Sequence, residues 1–251
     1  VQTCALPISD RPDGPVTERK AWVEMLHRYL AMAVGVLIIA ALWAAWRHRR
    51  VLPHSAAWPA ATLCWVVLQG LFGKYTVTLK LFPAVVTLHL LGALGLLALL
   101  SIQHESFRRS EASDVLPRRL RRWAGAALAV LLLQAALGGW VSTNYAVLAC
   151  QGFPTCNGQG WPSMDLARGF TLWRELGHTA DGQWLPFEAL VAIHWVHRLF
   201  AGVAALVLLG LALALRREPA WRRWGSLLAG MVVLQLSTGL SNVVLHWPLA
   251  G

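Results

Sequence analysis

Three histidines have the residue type and the depth that haem-iron ligation needs. His27, His89 and His197 each lie in an apolar segment, about 8 to 10 Å from its outer end at a rise of roughly 1.5 Å per residue. A neutral imidazole binds haem iron axially, and histidines on facing helices can hold one haem between them. The spacing predicts that His27 and His89 hold one haem and that His197 ligates a second.

A lone histidine in such a segment has another interpretation, as a polar residue hydrogen-bonded to a neighbouring helix. A zinc site fits poorly, because zinc takes three or four ligands close together and the chain has no H-E-x-x-H motif. Three histidines at one depth favour haem, since ionisable groups inside a span are costly and point to function.

One carboxylate accompanies these histidines. Glu24 lies three residues before His27, so a helix places both on one face. A carboxylate beside a haem can stabilise a developing positive charge or manage protons, which makes Glu24 the predicted catalytic residue. The alternatives are a salt bridge with Arg28 and a polar residue at the membrane interface.

Arginines follow two of the histidines directly. Arg28 and Arg198 are predicted to contact haem propionates or to support the site, because the guanidinium fork matches a carboxylate. The alternative is that both side chains extend to the lipid headgroups. His194 lies one turn before His197, and either faces the same cavity or has no part in the site.

These residues must be positioned by helices that cross a membrane. The 251 residues are 57% hydrophobic and 14% charged, with a mean hydropathy of +0.51, whereas a soluble domain carries about 25% charged residues. This composition excludes most soluble classes and disorder. Apolar runs of roughly 20 residues predict an all-α polytopic membrane protein, and such runs are too long for barrel strands. Six segments, A to F, are predicted at about 22–46, 58–79, 82–103, 122–143, 188–215 and 225–246.

The basic residues indicate the orientation. The net charge is +10, and thirteen of the 22 lysines and arginines lie in the A–B, C–D and E–F connections. The positive-inside rule places these connections in the cytoplasm and the loop 144–190 outside. This distribution argues against a nucleic-acid partner. The thirteen are Arg47, Arg49, Arg50, Arg108, Arg109, Arg118, Arg119, Arg121, Arg122, Arg216, Arg217, Arg222 and Arg223.

Two sequence patterns recur and predict a duplicated bundle. H-R-x-x-A begins at His27 and again at His197, and L-Q-x-x-x-G occurs in segments B, D and F, with glutamines at Gln69, Gln134 and Gln235. The offsets, 170 for the histidines and 166 from Gln69 to Gln235, are similar. We expect an eight-helix protein in two four-helix halves, of which this chain lacks the first and last helices. The second ligand of the His197 haem would then lie just beyond the chain, at about residues 255–259.

The predicted organisation has five parts. Residues 1–8, VQTCALPI, resemble a translated sequencing adapter, so Cys4 is given no role. The other parts are an outer segment at 9–21, helices A to D within 22–143, an outer loop at 144–190 and helices E and F, an incomplete half, within 191–251.

Two cysteines stand out in the outer loop. Cys150 and Cys156 have five residues between them in a segment predicted to face an oxidising compartment, which favours a disulfide. A redox-active pair is the alternative, although C-x5-C matches neither a thioredoxin motif nor a covalent haem motif.

Several ordered motifs resemble the haem A synthase family of proteobacteria. They are E-M-L-H-R-Y-L-A (24–31), T-L-H-L-L-G-A (87–93), the loop G-G-W-V-S-T-N-Y-A-V-L-A-C-Q-G-F-P-T-C-N-G-Q-G-W-P-S-M-D (138–165), I-H-W-V-H-R-L-F-A (193–201) and G-L-S-N-V-V-L-H-W-P-L (239–249). The resemblance covers roughly residues 15–251.

The resemblance implies an eight-helix enzyme of the bacterial cytoplasmic membrane that oxidises the C8 methyl of haem O to a formyl group for terminal oxidase assembly. It implies that His27 and His89 face the substrate haem, that Glu24 is catalytically important and that His197 is an axial ligand of haem b. The implied partners are haem O, haem O synthase, lipid and the terminal oxidase assembly route, together with a homo-oligomer. The alternatives are a di-haem electron-transfer subunit without catalysis, a transporter or channel with structural histidines, and a non-functional fragment.

Overall fold

The computed structural model describes residues 18–50, 57–107 and 115–245. The stretch 1–8 and most of the outer segment 9–21 lie outside these residues, so both assignments stay predictions. In the described residues there are two isolated β-bridges and no strand, and the predicted all-α class is confirmed. The α-helices are α1 (Glu18–Arg47), α2 (Ala57–Thr78), α3 (Pro83–Phe107), α4 (Arg118–Thr143), α5 (Leu166–Gly169), α6 (Phe187–Arg217) and α7 (Arg222–Val244).

The six predicted segments are all helical, as α1 to α4, α6 and α7. Helix α4 begins four residues before segment D because its first turn holds Arg118, Arg119 and Arg121, which an apolar pattern does not include. Helix α5 is a single turn in the outer loop, where the Asp165 carboxylate caps it by accepting from the Arg168 backbone N–H at 2.9 Å.

Among the described residues, five helices are long and apolar enough to cross a membrane. They are Ala21–Arg47, Pro83–Phe107, Arg118–Thr143, Phe187–Arg217 and Pro219–Val244. Helix α2 has 22 residues, includes Gln69 and Lys74, and is not among these five. The chain is therefore a polytopic membrane protein, while the crossing of the bilayer by α2 stays a prediction.

The chain divides into two compact units. The first comprises residues 1–68, 98–108 and 249–251, and its described part contains α1, the start of α2 and the end of α3. Within it, the Thr62 hydroxyl lies 2.9 Å from the carbonyl oxygen of Trp58 and 3.0 Å from Oε1 of Gln103. Thr62 is buried, and this shared hydrogen bond ties α2 to α3.

The second unit comprises residues 69–97 and 109–248, and it contains both sites described below. An apolar core lies where α4, α6 and α7 meet. Two glycines allow the helices to approach: a methyl group at Gly225 would lie 2.5 Å from the carbonyl oxygen of Ala212, and one at Gly210 would lie 3.0 Å from the Trp123 ring. The buried members of this core are Leu120, Ala127, Leu208, Leu211, Leu215 and Val232.

The loop between α4 and α6 is folded onto the ends of those helices. Trp140 of α4 donates its indole N–H to the carbonyl of Gly169 at 2.9 Å. A methyl group at Gly169 would lie 2.8 Å from the carbonyl oxygen of Ala189, so the α5 turn needs glycine where it crosses α6. The predicted loop 144–190 thus has a fixed structure, which ends where α6 begins at Phe187.

Candidate functional site

His197 of α6 lies against the backbone of α4. The Nε2 atom of Gln134 lies 3.2 Å from Nδ1 of His197 and 3.4 Å from the carbonyl oxygen of His197. One turn further along α4, a methyl group at Gly138 would lie 3.1 Å from Cε1 of the imidazole. The ring therefore lies between the α4 backbone and the Gln134 amide. These three residues form what we call the His197 site.

His89 of α3 has a similar setting against α2. Gln69 donates from Nε2 to the carbonyl oxygen of His89. A methyl group at Gly73 would lie 3.2 Å from Cε1 of the His89 imidazole. The amide of Gln69 is buried and fills the space next to Gly92, where any side chain would collide with it. His89, Gln69 and Gly73 form the His89 site.

Helix α3, which carries His89, contacts helix α4, which carries Gln134 and Gly138, in the second unit. The hydroxyl oxygens of Thr87 and Thr143 lie 3.3 Å apart. A methyl group at Gly139 would lie 3.0 Å from Cδ2 of Leu90, so the two helices are in contact at this point.

The residues at both sites fit the axial ligands of a haem. Each imidazole lies in a space that a Cβ on the facing helix would fill, so a glycine on that helix holds the ring in place. A glutamine amide also contacts each histidine, at the ring of His197 and at the main chain of His89. Two imidazoles in a helical bundle are groups of the type that can ligate haem iron, and their role as ligands stays a prediction.

The predicted residues of α1 lie in the first unit. Nη2 of Arg28 lies 2.5 Å from Oε1 of Glu24, and each side chain is more than half exposed, at 53% and 55%. The structure thus forms the salt bridge that was the alternative for Glu24. The His27 side chain is exposed. The catalytic role of Glu24, the haem role of His27 and the propionate role of Arg28 stay predictions.

His194 and Arg198 join α6 to the cysteine loop. Arg198 donates from Nε to Nε2 of His194 at 3.0 Å, and the backbone nitrogen of Cys150 lies 3.3 Å from Nδ1 of His194. The Arg198 guanidinium also donates to the carbonyls of Cys150 at 2.6 Å, Gly152 at 2.8 Å and Thr155 at 3.3 Å. Their described contacts are with the loop, and their predicted contact with a propionate stays a prediction.

The predicted disulfide between Cys150 and Cys156 is present. Both cysteines are buried, and they pack with Ala149, Val191 and Trp195 in an apolar cluster. The disulfide and the Arg198 contacts together hold this loop against the N-terminal part of α6.

Arg174 is a second loop anchor, and no motif pointed to it. Arg174 is 3% exposed. Its guanidinium donates to Oδ1 of Asn144 at 2.5 Å and to the carbonyl of His178 at 3.3 Å, and it lies 5.6 Å from the centroid of the Trp140 ring. Burial lowers the pKa of Arg174. An arginine this deeply buried in a loop is recognisable only once its partners are in place.

Sequence reasoning also missed the roles of Gln69 and Gln134. The signal is the recurring pattern L-Q-x-x-x-G, in which the glycine follows the glutamine by four residues and so lies on the same helix face. As a sequence pattern it indicates duplication, whereas in the structure the glutamine and the glycine both lie against a histidine of the next long helix.

Comparison with known proteins gives consistent matches. The model of the family COX15-CtaA, described as cytochrome oxidase assembly protein, matches residues 11–251. A protein named heme A synthase from Shewanella oneidensis is 37% identical over 240 residues, which cover 95% of this chain and 72% of that protein. Proteins of the same name from Erythrobacter litoralis and Alkalihalophilus pseudofirmus are 31% and 27% identical over 88% and 92% of this chain, and over 65% and 72% of their own lengths.

Proposed function

The chain belongs to the COX15-CtaA family of cytochrome oxidase assembly proteins, and from this premise we propose that it is a haem A synthase. The proposed reaction oxidises the C8 methyl group of haem O to a formyl group and gives haem A for terminal oxidases. The observation that carries the proposal is the pair of imidazoles, His89 and His197, each seated against a glycine and a glutamine of a neighbouring helix.

The two sites have different proposed tasks. His89, together with His27 of α1, binds or faces the iron of the substrate haem O. His197 is an axial ligand of a resident haem b. When bound, haem b supplies one-electron transfer away from the substrate. Arg28, Arg198 and His194 belong to the outer surroundings, as propionate contacts or as supports for the ligands.

Glu24 is the proposed catalytic carboxylate. Conversion of a methyl to a formyl group breaks two C–H bonds, takes one oxygen from water, and releases four protons and four electrons. A carboxylate near the methyl carbon lowers the barrier by accepting a proton or by stabilising positive charge there. Glu24 lies one helical turn from His27 and forms an ion pair with Arg28.

The proposed location is the bacterial cytoplasmic membrane. The arginine-rich connections would face the cytoplasm, and the disulfide-closed loop would face the periplasm, where thiols are oxidised. The proposed partners are haem O synthase, which supplies the substrate, and the assembly route of the terminal oxidase. A homo-oligomer is a further proposal.

A di-haem electron-transfer subunit is the second candidate. It is favoured by one observation, the similar construction of the His89 and His197 sites, since an electron carrier needs two equivalent ligand sets and no catalytic carboxylate. The two candidates differ in their dependence on Glu24.

The deciding experiment expresses the protein in a bacterial host that makes haem O but no haem A. We expect wild-type protein to produce haem A, identified by its absorption and mass after extraction. We expect Glu24→Gln to bind haem at wild-type level and to lose roughly 100-fold or more of the rate, because one general acid–base group contributes about 10²–10⁴-fold.

The matched control is Glu18→Gln, which changes an acidic residue in the first turn of the same helix. It should retain the wild-type rate. Haem-loaded wild-type protein that forms no haem A would favour the electron-transfer candidate, and full activity of Glu24→Gln would remove the carboxylate from the mechanism.

A further inference from the structure

We infer that Gln134 is a positioning residue that sets the tautomer of His197 and directs Nε2 of that imidazole to iron. The inference rests on the proposed function, because it takes His197 to be a haem ligand. Gln134 is on α4 and His197 on α6, so the pair forms only when the two helices pack.

The contact between Gln134 and His197 is made by the amide nitrogen of Gln134 and not by its amide oxygen. The amide nitrogen faces Nδ1 of His197 at 3.2 Å and the His197 carbonyl at 3.4 Å, and in this state Nδ1 accepts. The Oε1 atom of Gln134 is buried and has no hydrogen-bond partner among the residues that the structure describes. A buried acceptor without a partner is destabilising, because nothing replaces the hydrogen bond that it makes with water in the unfolded chain.

Iron ligation through Nε2 requires Nδ1 of the imidazole to donate a hydrogen bond instead of accepting one. A neutral imidazole has one N–H, so a ring that gives the Nε2 lone pair to iron must carry its proton on Nδ1. That proton would face the amide NH2 of Gln134, which is also a donor. A half-turn of the amide exchanges its two ends and presents Oε1 to Nδ1–H. The turn gives the buried oxygen a partner and fixes the ligating tautomer, and it exchanges the 3.4 Å contact of the amide nitrogen with the His197 carbonyl for this bond.

Gly138 limits the alternatives of the ring. A methyl group there would lie 3.1 Å from Cε1 and 3.7 Å from Nδ1 of His197, so the imidazole is already in contact with the α4 backbone. The ring cannot swing towards α4 to find another acceptor. Gln134 is therefore the α4 group within reach of Nδ1 in this arrangement.

The His89 site offers an internal comparison. There the Gln69 amide nitrogen donates to the main-chain carbonyl of His89, and its oxygen is lodged beside Gly92. In α3, Gly92 lies three residues after His89. In α6, the residue three positions after His197 is Phe200. Gln69 therefore fixes the α3 backbone near His89, whereas Gln134 reaches the ring itself.

The test is a redox titration of haem b in the purified, haem-loaded protein. In Gln134→Leu, Nδ1–H loses its acceptor, so we expect a higher midpoint potential and a haem affinity lower by about 10–100-fold, the usual cost of an outer partner. In Gln134→Glu, a carboxylate accepts from Nδ1–H more strongly and makes the imidazole a better donor to iron. We expect this variant to keep its haem and to have a midpoint potential below that of wild type.

Two controls accompany these variants. Leu133→Ala changes the preceding, exposed residue of α4, and Gln69→Leu removes the glutamine of the other site. Both should leave the midpoint potential of the His197 haem at the wild-type value. A purely structural role of Gln134 would change stability in Leu and Glu variants alike, without opposite shifts of the potential.

The outcomes separate the inference from the proposed function. Wild-type potentials in both Gln134 variants, or a shift in Gln69→Leu equal to that of Gln134→Leu, would overturn the inference. If Gln134→Leu does not accumulate, an unchanged potential in Gln134→Glu overturns it. His197→Ala is measured in parallel: an unaltered haem b spectrum there refutes the proposed ligand, whereas loss of that spectrum with wild-type Gln134 variants refutes only the role of Gln134.

Discussion

The His89 and His197 sites use the same residue types but hold their histidines in different ways. Both rings lie 3.1–3.2 Å from the place where a methyl group would stand on the facing glycine. Gln69 donates to the main chain of His89, while Gln134 contacts both the ring and the main chain of His197. This difference suits the proposed tasks, because a resident cofactor needs a fixed ligand and an exchanging substrate needs a ligand that can release it.

The loop adds to the difference. Helix α6 carries His194 and Arg198 within one turn of His197, and these two residues hold the disulfide-closed loop by contacts with Cys150, Gly152 and Thr155. The His197 site is therefore part of a region in which α4, the loop and α6 pack directly against one another.

The largest effect should come from removing the ligands. We expect His197→Ala to abolish the haem b spectrum of the purified protein, because an axial imidazole is lost, whereas His89→Ala should retain it and fail to form haem A. The extracted haem content and the absorption spectrum measure both. Equal loss of haem b in the two variants would contradict the different tasks proposed for His89 and His197.

The glycines should give the next largest effect. An alanine methyl at Gly138 would press on Cε1 of His197, and overpacking of this kind costs about 1–3 kcal/mol. We expect Gly138→Ala to weaken haem b binding about tenfold, and Gly73→Ala to slow haem O oxidation while leaving haem b bound. Haem transfer to an apo-acceptor protein and the haem A assay measure the two effects. Gly35→Ala in α1, where nothing lies within 4 Å, is the control.

Loss of the hydrogen bonds between Arg198 and the loop should give a smaller effect. Arg198→Leu removes three donations to loop carbonyls, and we expect a loss of about 2 kcal/mol in unfolding free energy, within the range for hydrogen bonds of charged groups. The haem b spectrum should shift only slightly, because His197 keeps its contact with Gln134. Thermal unfolding followed by haem absorbance measures both. Complete loss of haem b would instead favour a direct contact between Arg198 and a propionate.

The smallest effect should be that of Arg28. Its ion pair with Glu24 is more than half exposed, and such pairs contribute about 0–1 kcal/mol. We expect Arg28→Gln to leave the unfolding temperature unchanged within error, and Arg28→Leu to behave alike. A large loss of haem O affinity in both variants would support the proposed contact between Arg28 and a haem propionate.

The helices, the class of the protein and the disulfide could all be predicted from the sequence. Apolar runs as long as segments A to F form helices because only a helix satisfies its own backbone in lipid, and an apolar run is visible without any partner. Cys150 and Cys156 are close in the chain, so their pairing needed only an oxidising location. The histidines were conspicuous because an ionisable group in an apolar run is costly.

The surroundings of these histidines could not be predicted from the sequence, because they depend on how the helices pack. Gln69 and His89 are 20 residues apart and Gln134 and His197 are 63 apart, so their contacts depend on how helices pack and not on local pattern. The same reason hid Arg174, whose partners Asn144 and His178 come from separate parts of the loop. Periodicity tells which face of a helix a residue occupies, but the identity of the facing helix and the reach of each side chain are set by close packing at residues such as Gly138 and Gly139.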